Sequence, residues 1–249
     1  MVQDSDSILN YWEQDDVESM YDKYLLDAEI DLIKSNINPH SKILDAGCGE
    51  GEGSFQYASI PGVFIHAADF SETRLKKAKV RLKGINNVIL RKIDFLNNYT
   101  LDNDYDIIIS QRFLINLMGW NLQKKVIADL MNLLKPEGKL LLLEGSVKGT
   151  KELNDLRAIF GLPSIPIKWH NLFLNDSQLQ NFIEDKGYTI IDIIGLGEYF
   201  FLTRGIRPFF DEDLDWKCSF NHISLNKKLK NLIDFNTRFS RLKLWIIKK

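Results

Sequence analysis

Residues 42–53 constrain the fold of this chain more than any other stretch. They read KILDAGCGEGEG, so that a short apolar run ends at an acidic residue and glycines then recur at alternate positions. Glycine tolerates positive φ and lets a ligand approach the backbone closely. The pattern predicts a buried strand that runs into a tight, ligand-binding turn.

Two carboxylates in this stretch, Asp45 and Glu50, indicate the charge of the ligand. They would repel a phosphate, which disfavours a dinucleotide. The NAD fingerprint G-x-G-x-x-G also finds no register here, because its sixth position falls on Glu52, Ser54 or Gln56. A ligand with positive charge and hydroxyl donors suits the turn better. S-adenosylmethionine (SAM) has both, in its sulfonium, its ammonium and its ribose diol.

Strand and helix patterns alternate along the rest of the chain, as in a doubly wound α/β sheet. The almost wholly apolar run at 105–110 is typical of a strand covered on both faces. Ser71 can cap one helix, and the spacing of apolar residues predicts another over 17–33. The predicted strands are 43–45, 63–67, 88–90, 105–110, 139–144 and 189–194.

Two stretches resemble the class I SAM-dependent methyltransferases. Residues 42–53 fill every position of their motif I core, hydrophobic-hydrophobic-D/E-x-G-x-G-x-G. Residues 134–139, LKPEGK, are similar to the L-K-P-x-G-K/R signature before strand five, with Glu137 where glycine is usual. This likeness covers about residues 17–195. The runs RFLINL (112–117) and WHN (169–171) resemble a narrower bacterial group, often encoded with surface-polysaccharide genes.

The resemblance implies an α/β fold: a Rossmann-like, seven-stranded, mostly parallel sheet with an antiparallel C-terminal strand, helices on both faces and lid insertions. We expect a single domain over 1–249, with an N-terminal helical cap at 1–37. Insertions at 146–175 and 205–240 would cover the acceptor side. The seventh strand is expected at 242–247, with 199–203 as the alternative.

Acidic residues follow three successive strands, at the edge where such sheets bind ligands. Asp69 follows strand two, where an acid binds the ribose hydroxyls of a nucleoside. For Asp94 and Phe95, the resemblance implies a hydrogen bond to the adenine amino group and packing on its ring. Any one acid could be a helix cap, but three at successive strand ends are harder to explain so. The resemblance also implies that N-terminal aromatic residues close over the cofactor. The expected cofactor-binding residues are Tyr11, Tyr21, Asp45, Ala46, Gly47, Gly49, Glu50, Asp69, Phe70, Asp94, Phe95 and Gln111.

An oxygen acceptor benefits from a base that removes its proton. Of the four histidines, His40 precedes strand one and His66 lies inside strand two, whereas His170 and His222 fall in the expected insertions. His170 is the best candidate for a catalytic base, because histidine is partly neutral near pH 7. The alternative is a histidine bonded to backbone in a loop. The expected substrate-binding residues are Arg112, Glu144, Asn171 and His222.

The bulk composition favours a soluble globular enzyme. With 249 residues and a net charge of -2, the chain has no general attraction to nucleic acid. The N/D-P-P-Y/F sequence of amino-methylating nucleic-acid enzymes does not follow strand four. No apolar stretch is long enough to span a bilayer, and the acidic N-terminus excludes a secretory signal, so we expect a cytoplasmic protein. Cys48 and Cys218 form no disulfide framework, and no metal site is expected.

Basic residues are concentrated near the C-terminus. Residues 227–249 carry eight Lys and Arg against one acid, Asp234. A solvated face is the favoured interpretation, since charge runs usually lie on exposed surfaces. A basic patch for an anionic substrate or a membrane surface is the alternative.

The sequence therefore predicts transfer of a methyl group from SAM to a small molecule or surface-glycan precursor, at oxygen, with S-adenosylhomocysteine as the product. An N-methyltransferase is one alternative. A non-catalytic SAM-binding protein or regulatory partner is another, and turnover of SAM with any acceptor would separate it from an enzyme.

Overall fold

The computed structural model describes residues 5–18, 20–210 and 215–249. Within them, the strands in chain order are β1 (Lys42–Ala46), β2 (Phe64–Asp69), β3 (Val88–Lys92), β4 (Tyr105–Gln111), β5 (Leu134–Gly145), β6 (Thr189–Gly195) and β7 (Leu242–Lys248). They form one seven-stranded sheet in the order β3-β2-β1-β4-β5-β7-β6. Neighbours from β3 to β5 are parallel, whereas β7 runs antiparallel to β5 and β6. The predicted fold class is confirmed.

The C-terminal strand β7 lies inside the sheet, between β5 and β6. Trp245 pairs with Leu142 on one side and Ile193 on the other. Residues 242–247 are all buried, as expected for a strand with a partner on each edge and cover on each face. The alternative seventh strand at 199–203 is wrong, because that segment is helical.

Helices pack on both faces of the sheet. They are α1 (Ser5–Trp12), α2 (Lys23–Lys34), α3 (Glu52–Tyr57), α4 (Glu72–Arg81), α5 (Trp120–Leu133), α6 (Val147–Ile159), α7 (Asp176–Asp185), α8 (Gly197–Phe200), α9 (Ser219–Ile223) and α10 (Lys227–Leu232). Short 3-10 helices occur at Leu114–Asn116 and Arg207–Phe209, and a π-helix at Phe201–Ile206.

Two hydrophobic cores lie on opposite faces, because successive strand residues point to opposite sides. Ile43 and Ile109 belong to the core beneath α2. Leu44 and Ile108 belong to the core beneath α5. The two cores hold β1 and β4 in place, and the loops that follow these strands are thereby positioned at one edge of the sheet.

The helix predicted over 17–33 begins later, at Lys23. The Asp22 carboxylate accepts the Leu25 N–H at 3.1 Å, which caps the helix there. Upstream, the Val17 carbonyl accepts a bond of 2.7 Å from the Arg74 guanidinium, which ties that segment to α4. The apolar spacing of 17–21 therefore does not mark a helix; Met20 and Tyr21 instead line the cavity described below.

In the described part of the chain, no helix combines the length and the apolar character that crossing a membrane requires.

Candidate active site

A cavity of about 1310 Å³ lies at the carboxyl ends of β1, β2 and β4. Small-molecule sites usually measure roughly 300–1,000 Å³, so this cavity has room for more than one ligand. Most of the predicted site residues line it. They are Tyr11, Tyr21, Asp45, Gly47, Gly49, Glu50, Asp69, Phe70, Asp94, Phe95, Gln111, Arg112, His170 and Asn171.

The glycine turn needs its glycines for conformation and for space. Gly47 and Gly49 lie at φ +75° and +54°, where residues with a side chain are strained. A Cβ on Gly47 would lie 2.5 Å from the Cβ of Phe113, whereas a Cβ on Gly49 would meet nothing within 4 Å. The backbone at Gly49 is therefore open to a ligand in the cavity.

Asp69, at the end of β2, is held by the turn that it supports. Its carboxylate accepts the N–H of Gly49 at 2.8 Å and the N–H of Ser71 at 2.9 Å. Burial raises the pKa of Asp69, and these N–H donors oppose that rise. A carboxylate can accept further bonds beyond these two, so Asp69 retains acceptor capacity toward the cavity that it lines.

Asp45, at the end of β1, is a second buried carboxylate on the same wall. It accepts a bond of 2.5 Å from the Ser54 hydroxyl. Burial raises the pKa of Asp45 to about 6, although the Ser54 hydroxyl opposes the rise. No basic side chain in the described part of the chain forms a salt bridge with Asp45 or Asp69. Buried carboxylates without an ion-pair partner suit a ligand that brings positive charge or hydroxyl donors.

Glu50 lies on the cavity wall, but its carboxylate is engaged by α4. Arg74 pairs with it directly, and Lys77 and Arg81 approach its oxygens to 3.4 and 3.9 Å. Because α4 packs beside the glycine turn, these three cations compete with any ligand for this side chain.

The loop after β3 brings one polar and one apolar group to the cavity. The exposed Asp94 accepts the Leu96 N–H at 2.9 Å and the Asn97 amide at 2.6 Å, as a turn-forming aspartate does. Phe95 is buried, with its ring centroid 5.4 Å from that of Phe113. Asp94 therefore supports this loop, and its place on the cavity lining is also compatible with a hydrogen bond to adenine.

The N-terminal segment closes the cavity beside α4. The Glu13 carboxylate accepts the N–H groups of Glu72 and Thr73 at 2.8 and 3.1 Å. These are among the first N–H groups of α4, which lack partners inside the helix. Arg74 donates to the Trp12 carbonyl at 3.1 Å. The sequence analysis missed Glu13 and Arg74, because both contacts join residues about 60 positions apart.

Aromatic rings of this segment surround His170. Its ring stacks on Tyr11 with centroids 4.4 Å apart, and the edges of Trp12 and Trp169 lie nearby. His170 is buried, and its Nδ1 has no hydrogen-bond partner among the described residues. Burial lowers the pKa of His170 to about 4, and Lys168 adds to the effect. The ring is therefore neutral at physiological pH.

Gln111 and Arg112 converge on a buried acid that the sequence analysis did not identify. Glu29, on α2, lies 2.8 Å from the Gln111 amide and 3.0 Å from Nε of Arg112. Burial raises the pKa of Glu29, and Arg112 opposes the rise. The Tyr57 hydroxyl donates to the Gln111 carbonyl oxygen at 3.2 Å, which extends this network toward the glycine turn.

Glu144 does not line the cavity, so its expected contact with the acceptor needs correction. It is fully buried at the end of β5 and accepts the N–H groups of Phe113 and Leu114 at 3.0 and 2.9 Å. The Ser110 hydroxyl donates to it at 2.7 Å. Burial raises the pKa of Glu144 to about 7, and these donors oppose the rise. Its carboxylate holds the turn after β4 in place.

His222 and Ala46 are also absent from the cavity lining in the described part of the chain. His222 is exposed on α9, with its ring centroid 5.3 Å from that of Tyr24. Ala46 is fully buried at the end of β1. Position along the chain suggested that both residues are near the site, but neither lines the cavity.

Positively charged residues outside the predicted site also line the cavity. Arg157 extends from α6, Arg204 from the π-helix and Arg241 from the residue before β7. Lys168 joins them from the loop that carries His170. The sequence analysis missed this cluster because its members are scattered; only the basic C-terminal run, which includes Arg241, hinted at it. Residues within both spans expected to be insertions, 146–175 and 205–240, line the cavity, although residues 211–214 lie outside the described part.

The model of the methyltransferase domain family matches residues 37–193 of this chain. That span runs from the residues before β1 to β6, and it includes the glycine turn and the acids that follow β1 and β2.

Curated relatives are similar over parts of their length. The phosphoethanolamine N-methyltransferase of Plasmodium falciparum is 30% identical over 108 residues, which are 43% of this chain and 40% of that protein. The ubiquinone/menaquinone biosynthesis C-methyltransferase of Ectopseudomonas mendocina is 26% identical over 157 residues, 61% of this chain and 60% of that protein. The chain thus spans less than two thirds of the length of these relatives.

Among solved structures, phosphoethanolamine N-methyltransferase 1 of Haemonchus contortus, in complex with phosphoethanolamine and S-adenosylhomocysteine, superposes with a TM-score of 0.65. The match covers 98% of this chain and 48% of that chain at 12% identity. At this identity the likeness shows the shared fold.

Proposed function

The chain belongs to the methyltransferase domain family, and from that premise we propose which atom it methylates. We propose that the protein is a SAM-dependent methyltransferase. We propose that the acceptor is a small molecule, methylated at an oxygen atom, and that it binds at the end of the cavity opposite the glycine turn. A sugar-linked precursor of a surface glycan is the class that the sequence resemblance suggests.

The residues at the glycine turn fit the cofactor. Open space beside Gly49 can accept the ligand, and Asp69 can accept a bond from a ribose hydroxyl. The buried, unpaired carboxylate of Asp45 suits a ligand with positive charge. When bound, SAM supplies a methyl group that its sulfonium already activates.

The continuity of the cavity is the observation that carries the proposal. A single space is lined both by Asp69, beside the glycine turn, and by His170 and Asn171. Trp12 and Glu13 dock on α4 beside it. A cavity closed in this way suits a small acceptor, and holding the acceptor in place is the main contribution that methyl transfer requires from the protein.

His170 is compatible with oxygen as the target. A neutral imidazole on the cavity wall can accept a hydrogen bond from an acceptor hydroxyl. Stacking on Tyr11 fixes the ring plane. The low pKa makes His170 a weak base in the free protein, so we expect it to take the proton only as the oxygen loses its electron pair to the methyl carbon.

Methylation at nitrogen is the second candidate. The relatives from Plasmodium falciparum and Haemonchus contortus are named phosphoethanolamine N-methyltransferases, which favours it. A protonated amine must also lose a proton before it can attack, so His170 would serve in either case.

The test compares His170→Phe, which keeps a ring to stack on Tyr11, with His222→Phe as a matched control on the exposed surface. Formation of S-adenosylhomocysteine is measured with a panel of small alcohols, sugars and amines, and mass spectrometry locates the new methyl group. We expect His170→Phe to lower turnover about a hundredfold with SAM affinity almost unchanged, and the loss to shrink at high pH. The control should retain wild-type turnover.

Full turnover by His170→Phe would show that His170 is not a base. Positioning of the acceptor would then be the protein's contribution to catalysis. SAM binding without product from any acceptor would instead favour the non-catalytic alternative.

A further inference from the structure

We propose that Arg157, Arg204 and Arg241 form a binding site for a phosphate group carried by the acceptor. The inference rests on the proposed function, because it names the class of substrate that the same cavity receives. The acceptor would then be a phosphate monoester whose methylated atom lies toward His170.

Two of the arginines, Arg157 and Arg241, are anchored by backbone carbonyls. Arg157 donates from Nε to the Pro163 carbonyl at 2.8 Å, and from Nη1 to the Arg204 carbonyl. Arg241 donates from Nη2 to the Pro166 carbonyl at 3.0 Å. A guanidinium has several N–H donors in a rigid fork. Each side chain is therefore fixed in place while other donors remain for a ligand in the cavity that all three line.

Within the described residues, the cluster carries more positive charge than its surroundings neutralise. Asp22 pairs with Arg204 at 2.5 Å and also accepts a bond of 2.8 Å from the Tyr199 hydroxyl. Neither Arg157 nor Arg241 contacts a carboxylate in the described part of the chain. An anion would relieve this excess.

Burial and the neighbouring like charges lower the pKa of two of these arginines. Burial lowers the pKa of Arg241 to about 10, and Arg204 and Arg157 contribute to the shift. Burial also lowers the pKa of Arg157, and Arg204 adds to the effect. Cations held this close, and partly shielded from water, bind an anion more strongly than exposed ones do.

The cavity is lined by groups of both signs. Asp45 and Asp69 suit a cationic cofactor, whereas Arg157, Arg204 and Arg241 suit an anion. Such a distribution favours one orientation of a cofactor and an acceptor of opposite charge. Lys168, which also lines the cavity, adds a further cation at the acceptor end.

A phosphate monoester suits this end better than a carboxylate does. It carries roughly -1.5 to -2 charge at pH 7 and presents three strong acceptor oxygens, whereas a carboxylate carries a single charge. Arginine is the residue that best matches phosphate oxygens in pairs. Three guanidinium groups around one ligand are therefore satisfied more fully by phosphate.

The experiment measures binding of inorganic phosphate to the full chain by calorimetry, with acetate as the carboxylate probe and SAM as the probe of the other end. The variants are Arg157→Gln, Arg241→Gln and the charge-retaining Arg241→Lys. Lys151→Gln is the control, since Lys151 is exposed on the same helix as Arg157 and pairs with Asp155. Each Gln variant should weaken phosphate binding roughly tenfold. Arg241→Lys should weaken phosphate binding less than Arg241→Gln does, and the control should bind phosphate as tightly as wild type.

SAM affinity should be unchanged in every variant, which shows that each has folded. The inference is overturned if the wild-type protein binds SAM but not phosphate, if the Gln variants bind phosphate as tightly as wild type, or if acetate binds as tightly as phosphate. Failure of the proposed function looks different: phosphate and SAM would both bind, but no phosphorylated or unphosphorylated acceptor would be methylated.

Discussion

At the scale of single residues, the site depends on a few buried charges whose partners differ. Asp69 is bonded to two backbone N–H groups of the turn that it faces. Asp45 has one hydroxyl donor, and Glu50 is paired with Arg74. Three acids close together in the sequence therefore differ in how freely they can receive a ligand, and Asp69 combines the firmest support with a place on the cavity wall.

Asp69→Ala should weaken SAM binding by roughly ten- to a hundredfold, because a hydrogen bond to a charged group contributes about 1.5–3 kcal/mol. The substitution also removes the acceptor for the Gly49 N–H, so the turn itself loses support. Asp69→Asn, which keeps one acceptor oxygen, should lie between alanine and wild type. Calorimetry measures the SAM affinity of the wild type, Asp69→Ala and Asp69→Asn.

Asp155→Ala is the matched control for this series. Asp155 is an exposed aspartate on α6, paired only with Lys151 among its salt bridges in the described residues, and its loss should leave SAM affinity unchanged. If Asp69→Ala binds SAM as tightly as the control does, Asp69 is not a cofactor ligand.

At the scale of elements, the cavity is assembled where loops and helix ends from distant parts of the chain meet. Glu144 at the end of β5 fixes the turn after β4, and that turn carries Arg112 and Phe113 to the cavity wall. Glu13, just after α1, fixes the N-terminal segment on α4. In both cases one carboxylate satisfies N–H groups that would otherwise lack partners, and Arg74 adds further bonds to the N-terminal segment.

The pKa of Glu144 makes stability depend on pH. The folded value of about 7 lies above the ordinary value of 4.5. The unfolded chain therefore loses this proton at lower pH than the folded one. The stability contributed by protonated Glu144 is fully present below about pH 4.5 and is lost as the pH rises through about 7, by about 3 kcal/mol at most.

We therefore expect the melting temperature to fall between about pH 5 and 8, and Glu144→Gln to show a smaller fall. Differential scanning calorimetry across this range makes the comparison. Glu184→Gln, an exposed change on α7, should follow the wild-type profile. If the melting temperatures of wild type and Glu144→Gln fall in parallel with pH, Glu144 is already ionised in the folded protein near pH 5.

At the scale of the whole molecule, the sheet is completed by the strand that comes last in the chain. β7 supplies both β5 and β6 with an antiparallel partner, and without it β6 has no neighbour in the sheet. Arg241, just before β7, reaches the cavity. The position of Arg241 in the cavity therefore depends on the insertion of β7 into the sheet.

Removing residues 241–249 should leave an insoluble or unfolded protein, because it deletes the buried side chains of Leu244, Trp245 and Ile247. Trp245→Ala alone should lower the free energy of unfolding by about 3–5 kcal/mol. Chemical denaturation monitors the point variant, and solubility and circular dichroism monitor the truncation. A truncated chain that is folded and binds SAM would show that β7 is dispensable for the sheet.

The fold and the cofactor end could be predicted because their signals are local. Each signal is contained in a short run of residues: the alternating strand and helix patterns, the glycine turn, and the acids at the ends of β1 and β2. Within such a run, the side-chain period and the backbone freedom are set by near neighbours. Where local patterns conflicted with a cap, as at Asp22, the predicted helix boundary was wrong by several residues.

The arginine cluster was decided by tertiary structure. Arg157, Arg204 and Arg241 are brought to one wall by three separate elements, and no pattern in the sequence relates them. Glu144 and His222 follow the expected order along the chain, but Glu144 is bonded to the turn after β4 and His222 does not line the cavity. The sequence by itself therefore determined the sheet and the turn that suits the cofactor. Which charges meet across the cavity depended on long-range packing, because a side chain's partners are set by where the chain returns in space and not by its neighbours in sequence.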